Sequence, residues 1–220
     1  MRQLFLVRAA AVLFLATSAA YASPYQEVFN LGINAKGIAG SGGTVTLTQA
    51  SSSEVDVNVA LTSGFDWAFT GGPHHPFAFN LDSSIASLAT VTLISSPLGG
   101  FASASSAGPY DSTPYGNFTN ALECATCGTG TKKGLQAPLT FSVTVPSVDT
   151  ISLSAFTTNA GGYYFAADLG LNGKTGSFAS NSVGSTVQGP PPPSVPEPAS
   201  LAVLSAGLIG LAAVRRSRRA

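Results

Sequence analysis

The sequence predicts an all-β protein: a single antiparallel β-sandwich, jelly-roll or immunoglobulin-like in topology, with an N-terminal signal peptide and a C-terminal hydrophobic helix. Two observations carry this. Short apolar runs alternate with hydroxyl and amide residues at a period of two, the spacing of a strand with one buried face and one wet face. Glycine-rich turn clusters separate the runs, and no stretch of the middle of the chain has a helical period. About 160 residues suffice to bury a core in one domain.

The chain opens with an export signal. Arg2 and Arg8 make a positive start, Ala9 to Ala16 an apolar segment, and Ala20-Tyr21-Ala22 a small-x-small cleavage site. Cleavage after Ala22 leaves Ser23 as the first mature residue, so residues 1–22 are expected to be a signal peptide. A retained membrane helix is the alternative, disfavoured by the short apolar stretch.

The expected ectodomain spans residues 23–180. Val45 and Leu47 alternate with Thr44, Thr46 and Thr48, and Val55, Val57, Val59 and Leu61 with Asp56, Asn58 and Ala60. Phe77-Phe79-Leu81, Ala89-Val91-Leu93 and Leu139-Phe141-Val143-Val145 follow the same rule. Ile151, Leu153 and Ala155 form a further candidate strand, and Tyr163 to Leu171 the last clear one. Gly40-Ser41-Gly42-Gly43, Gly71-Gly72-Pro73, Gly99-Gly100, Gly161-Gly162 and Asn172-Gly173 supply the turns. Phe101 to Thr119, rich in Ser, Ala, Gly, Pro and Tyr, reads as a long loop.

Residues 181–194 read as a linker. Pro190 to Pro193 favour an extended polyproline II spacer of roughly 3 Å per residue. Next come Val195-Pro196-Glu197-Pro198, an uncharged run from Ala199 to Val214, and the basic group Arg215, Arg216, Arg218 and Arg219. The run has 16 residues where a spanning helix needs roughly 20, and small residues dilute it, so it suits brief residence in a bilayer. The arginines resist translocation and set the cytoplasmic side. An ordinary tail anchor is the alternative, but it has no use for the Pro-Glu-Pro.

This three-part tail, over residues 195–220, closely resembles the PEP-CTERM sorting signal of Gram-negative bacteria. The resemblance implies exosortase as the processing partner, transient inner-membrane insertion, and a cell-surface or extracellular destination. It also implies a setting among exopolysaccharide in a biofilm or floc. The stretches Pro76-Phe77-Ala78-Phe79-Asn80-Leu81 and Gly161-Gly162-Tyr163-Tyr164-Phe165-Ala166-Ala167-Asp168 are similar to segments of some exported proteins with such tails. That likeness implies a recurrent β domain and transfers no catalytic residue.

Charge narrows the partners. Six of the ten basic residues lie in the two terminal signals, so residues 23–198 hold four lysines, no arginine and ten acidic residues, a formal charge of −6. Binding to nucleic acid is excluded, because neutralising phosphates takes a basic face. The remaining surface is rich in hydroxyls.

Three internal features carry candidate chemistry. The only cysteines form Cys124-Ala125-Thr126-Cys127; in an exported chain with no second pair this reads as a local disulfide, pinning a loop by about 2 kcal/mol. A zinc site shared with His74 and His75 is the alternative on ligand count. The second feature is the aromatic stretch Phe65 to Leu81. There Asp66, Trp67, His74, His75 and Asn80 are candidate glycan contacts, with Trp67 as a stacking platform. Its plainer reading is a core of alternate aromatics turned by Gly-Gly-Pro. The third is the stretch from Gly161 to Gly176, read most simply as a core strand and hairpin turn.

No Gly-x-Ser-x-Gly, phosphate-binding glycine loop or His-Glu-x-x-His occurs, so no enzyme, cofactor or metal is expected. Asn117-Phe118-Thr119 matches a glycosylation acceptor. The expected function is that of a sorted, surface or secreted structural protein of the exopolysaccharide matrix. A carbohydrate-binding module built on Trp67 is the rival. An ice-binding protein, suggested by the Thr44-Thr46-Thr48 ladder, is a third reading, and one ladder is too little for it.

Overall fold

A computed structural model describes residues 25–69, 75–96, 100–104, 108–124, 130–131, 136–146 and 149–187. The expected signal peptide, Ser23, His74, Cys127 and everything from residue 188 onward lie outside the described residues. What is described is all-β, with every strand pair antiparallel. Among the described residues no helix is long and apolar enough to cross a membrane.

Strands are numbered in chain order. One sheet runs β16 (Val183–Val187), β1 (Gln26–Asn30), β3 (Gly43–Ser51), β4 (Glu54–Leu61), β13 (Leu139–Thr144) and β7 (Thr90–Ser95). Its register builds the core directly. Val45 stands opposite Val59, Leu47 opposite Val57, and Val57, Val59 and Val55 opposite Phe141, Leu139 and Val143. All these side chains are fully buried. The alternation read in the sequence therefore holds in β3 and β4, and in β13 except that Ser142, on the other face, is buried as well.

The second sheet centres on β14 (Phe165–Leu171). β15 (Lys174–Ser180) lies along one edge of it and carries β2 (Ile33–Asn34). β6 (Phe77–Phe79) pairs with Phe165 to Ala167, and β5 (Phe65–Phe69) with Leu169 to Leu171. β12 (Gly130–Thr131) extends β5, while β11 (Asn120–Cys124) and β8 (Phe101–Ser103) extend β6. The inward residues of both sheets make one core. Phe141 lies 6.0 Å from Phe77 and 5.5 Å from Phe79 between ring centroids, and Phe29 lies 4.9 Å from Phe165. Each such side chain contributes about 1.5–3 kcal/mol on burial.

A smaller apolar layer covers the far side of the second sheet. Ala121, Ala78, Ala166 and Ala179 stand side by side on β11, β6, β14 and β15, with Ile33 of β2 at the end. Methyl groups leave room for a second layer. It is filled by Tyr110, Tyr115 and Phe118 from the hairpin of β9 (Tyr110–Asp111) and β10 (Asn117–Phe118), together with Tyr163.

Three expectations are corrected. Residues 101–119, read as a loop, contain β8, β9 and β10: Phe101 of β8 packs into the main core against Trp67 and Phe69, and the alanine row gives the aromatics of the β9–β10 hairpin a surface to cover. Ile151 to Ala155, read as a strand, instead turns into a 3-10 helix at Leu153–Ala155. The burial alternates as a strand's would, with Ile151 and Leu153 inside, but the stretch makes only two backbone bonds to distant segments, Ile151 N–H to Ser52 O and Asp82 N–H to Ala155 O, and no strand ladder. Ala155 N–H donates to Ser152 O and Phe156 N–H to Leu153 O. Val183–Val187, placed in the linker, is strand β16, paired with β1 from Gln26↔Val187 to Phe29↔Val183.

Candidate functional site

The strand alternation of β5 decides the fate of Trp67. Phe65, Trp67 and Phe69 occupy the inward positions, and Trp67 is 0 % exposed. Its indole N–H donates to Ala137 O at 3.3 Å, and the edges of Phe77 and Phe101 meet its ring. No ring face is left for a sugar, so Trp67 takes the plainer reading, a core aromatic, and the rival groove finds no support in it. A buried indole with a satisfied N–H is a core residue.

The other candidate contacts scatter. Asp66 is half-buried and faces away from Trp67, opposite Gly170 on β14. The imidazole of His75 packs edge-on against Tyr110 at 5.0 Å, with Nδ1 3.8 Å from Glu123 Oε1. Asn80 is 8 % exposed, and its Nδ2 donates to Thr157 Oγ1 and Thr158 O. Among the described residues no three His, Cys, Asp or Glu side chains gather into a metal site, and His74 and Cys127 of the zinc alternative lie outside the described residues. Cys124 ends β11 opposite Phe101 of β8, and its expected partner Cys127 is not described.

The threonine ladder lies on the outer face of the six-stranded sheet. Thr44, Thr46 and Thr48 have Asn30, Val28 and Gln26 on one side and Ala60, Asn58 and Asp56 on the other. Mixed neighbours make it one row of threonines, not an array. Burial, then the neighbouring Glu54, pushes the Asp56 carboxyl above its ordinary range. Burial alone does the same to Glu27, which stands opposite Leu47.

A concave site of the described domain lies elsewhere. A cleft of about 750 Å³ opens where the β9–β10 hairpin meets the β8–β11 edge and the turns ahead of β7. One wall is the tight double turn after Asp82, in which Ala86 and Ala89 N–H groups donate back to Asp82 and Ile85 carbonyls. Asn80, the one expected contact that belongs here, lines it with Thr119 and Asn120. Thr119 Oγ1 accepts from Leu81 N–H at 2.8 Å and so sends its own proton to Asn120 Oδ1, also at 2.8 Å. That fixes the amide. Asn120 Nδ2 then points towards Ala86 O at 3.5 Å, a weak bond that leaves donor capacity. Gly108 sits on the rim because a Cβ there would stand 2.8 Å from Thr119 O.

No lining residue of the cleft is charged. Two acidic residues beside lining residues in the sequence are hydrogen-bonded locally: Ser84 N–H and Oγ donate to Asp82, keeping its carboxyl below the usual carboxylate range, and Thr113 Oγ1 donates to Asp111. Asn117 of the glycosylation pattern is exposed at the mouth of the same cleft, while Thr119 is half-buried in its floor.

Sequence reasoning passed over the residues that hold this region together. Asn159, 9 % exposed, accepts at Oδ1 from Gly161 and Tyr163 N–H, and donates to Tyr115 O and Asn117 O. The Asn-Ala-Gly-Gly order is an Asx-turn signal that would have found it. Tyr115 OH reaches Ile33 O and Ser177 O at 3.0 Å, and burial, with Tyr163 beside it, pushes its phenol up to about 12. Asp168 is a buried carboxylate at 2 % exposure, with its backbone N–H donating to Pro76 O; nothing in its run of small apolar neighbours marks it.

No curated protein and no solved structure matches the chain. A family model for the PEP-CTERM protein-sorting motif matches residues 194–219, in agreement with the Pro-Glu-Pro, the apolar run and the arginines. The match covers the tail and not the β domain. What the chain is similar to is therefore definite at this one place: residues 194–219 are a PEP-CTERM protein-sorting motif.

Proposed function

We propose that this protein is exported, processed by exosortase at its C-terminal tail, and retained at the cell surface or released as a structural component of an exopolysaccharide-rich biofilm matrix. The sorting motif at residues 194–219 carries the reading. In this account residues 1–22 direct export, Ala199 to Val214 enter the inner membrane briefly, and Arg215, Arg216, Arg218 and Arg219 hold the cytoplasmic side. In this reading the protein is a structural component and not an enzyme, in keeping with the sorting motif at its tail. The two sheets act as a sandwich, with Cys124 and Cys127 joined across the loop after β11. Trp67 supports no carbohydrate role, and the isolated threonine row gives no reason to favour ice.

An intact mass of the protein recovered from the surface and medium of its native host tests this. A species that starts at Ser23, ends near Pro196–Pro198 and gains about 2 Da on reduction is the expected result. Retention of Ala199 to Ala220 in a membrane fraction would refute the processing and make the chain a tail-anchored envelope protein.

A further inference from the structure

We propose that the cleft between the β9–β10 hairpin, β8, β11 and the turn before β7 is a binding site for an uncharged oligosaccharide. The inference stands on the β domain alone and does not depend on the sorting reading.

Size comes first. At about 750 Å³ the cleft falls within the roughly 300–1,000 Å³ of ordinary ligand sites, enough for several sugar rings in place of one. Its lining is of two kinds. Ala86, Ala89, Val91, Ala104, Pro109 and Ala121 provide an aliphatic surface, the complement of the C–H face of a pyranose. Ser83, Ser87, Thr90, Ser103, Asn117 and Asn120 provide hydroxyls and amides, which donate and accept as sugar hydroxyls require. The Asn120 amide is held in one orientation by the Leu81–Thr119 relay and offers its Nδ2 protons to the cleft. A preorganised donor loses little freedom on binding.

Charge removes the competing ligands. The cleft has no cationic side chain for a phosphate, sulfate or uronate, and the −6 of residues 23–198 repels anions at longer range. No carboxylate lines the cleft, and among the described residues no three His, Cys, Asp or Glu side chains gather to hold a metal ion. An apolar ligand would want open ring faces, but the two aromatics that also line the cleft, Tyr110 and Phe118, are only 7 % and 1 % exposed. What remains is a neutral ligand with apolar faces and many hydroxyls.

The test uses the full chain in mild detergent, titrated with cellotriose, maltotriose and mannotriose, and with trigalacturonate as the charged contrast. Calorimetry and saturation-transfer NMR read binding. Ser87→Trp and Ser103→Trp fill the cleft from opposite walls at exposed positions, and Thr46→Ala on the other sheet is the control. We expect at least one neutral trisaccharide to bind, about tenfold or more weaker binding in both tryptophan variants, unchanged binding in Thr46→Ala, and none of trigalacturonate. Both tryptophan variants binding as the parent does would overturn the site. No binding of any neutral probe at millimolar concentration, or equal binding of trigalacturonate, would overturn the ligand class.

Discussion

Asn159 Nδ2 donates to the carbonyl of Tyr115 at 2.9 Å, joining the loop before β14 to the turn between β9 and β10. The same amide also donates to Asn117 O and accepts from two backbone N–H groups. One side chain therefore satisfies four buried or half-buried backbone groups that have little water to turn to. Asn159→Ala leaves them unpaired, and we expect it to lower the unfolding free energy by about 2–4 kcal/mol, measured as a shift of the denaturant midpoint with unchanged slope. A loss below 0.5 kcal/mol, as for an ordinary surface change, would show that water replaces the amide.

The phenol of Tyr115 is expected to make the protein alkali-sensitive. Its folded-state value, about 12, lies above the ordinary value of 10 for an exposed tyrosine. The contribution is thus fully present below pH 10 and is lost as pH rises from about 10 to about 12, where the unfolded chain has released the proton and the folded chain has not. Tyr115→Phe should flatten the fall in stability over that window. At neutral pH it should cost about 1 kcal/mol for the hydroxyl bonds to Ile33 and Ser177. A stability profile from pH 8 to 12 for both proteins checks it.

The alanine row is expected to be intolerant of size. Ala78 is fully buried between Ala121 and Ala166, beneath the aromatic layer. Ala78→Leu should lift Tyr110 and Phe118 from the sheet and destabilise by about 1–3 kcal/mol. Ala78→Ser, nearly isosteric, separates overpacking from polarity. Equal stability of the Leu variant would mean that the hairpin is not packed on this face.

Trp67 is the sole tryptophan, so its environment can be read by fluorescence without ambiguity. Emission should be blue-shifted and resistant to iodide quenching in the native protein. Trp67→Ala should cost about 3–5 kcal/mol, and saccharide affinity should change only through unfolding. Selective loss of saccharide binding in a fully folded Trp67→Phe would restore the groove that its burial excludes.

Strands β3, β4 and β13 were legible in the sequence because each has one face in the core and one in water, and a period of two records that division. Residues 101–119 were not. There β9 and β10 are only two residues long, and Tyr110 and Phe118 are buried by alanines that lie elsewhere in the chain, on β6, β11, β14 and β15. The Ile151–Ala155 stretch shows that alternating burial does not specify a strand: a 3-10 turn buries Ile151 and Leu153 as well. Among the candidate contacts, composition picked out Trp67 and His75 but could not say which way they face. Asn80 alone reached the cleft.

By itself the sequence determined that the chain is built of strands, that its middle is acidic and free of arginine, and that its tail is a sorting motif. Each of these is a local property, carried by neighbouring residues or by a simple sum of charge. Only the tertiary structure decided that Trp67 lies in the core, that Asn159 ties the loops, and that an uncharged cleft forms around Asn120. Those outcomes depend on strand register and on which sheet face each side chain meets. Register is set by packing between segments far apart in the chain, as when Gln26 of β1 stands opposite Val187 of β16, and no local pattern encodes that distance.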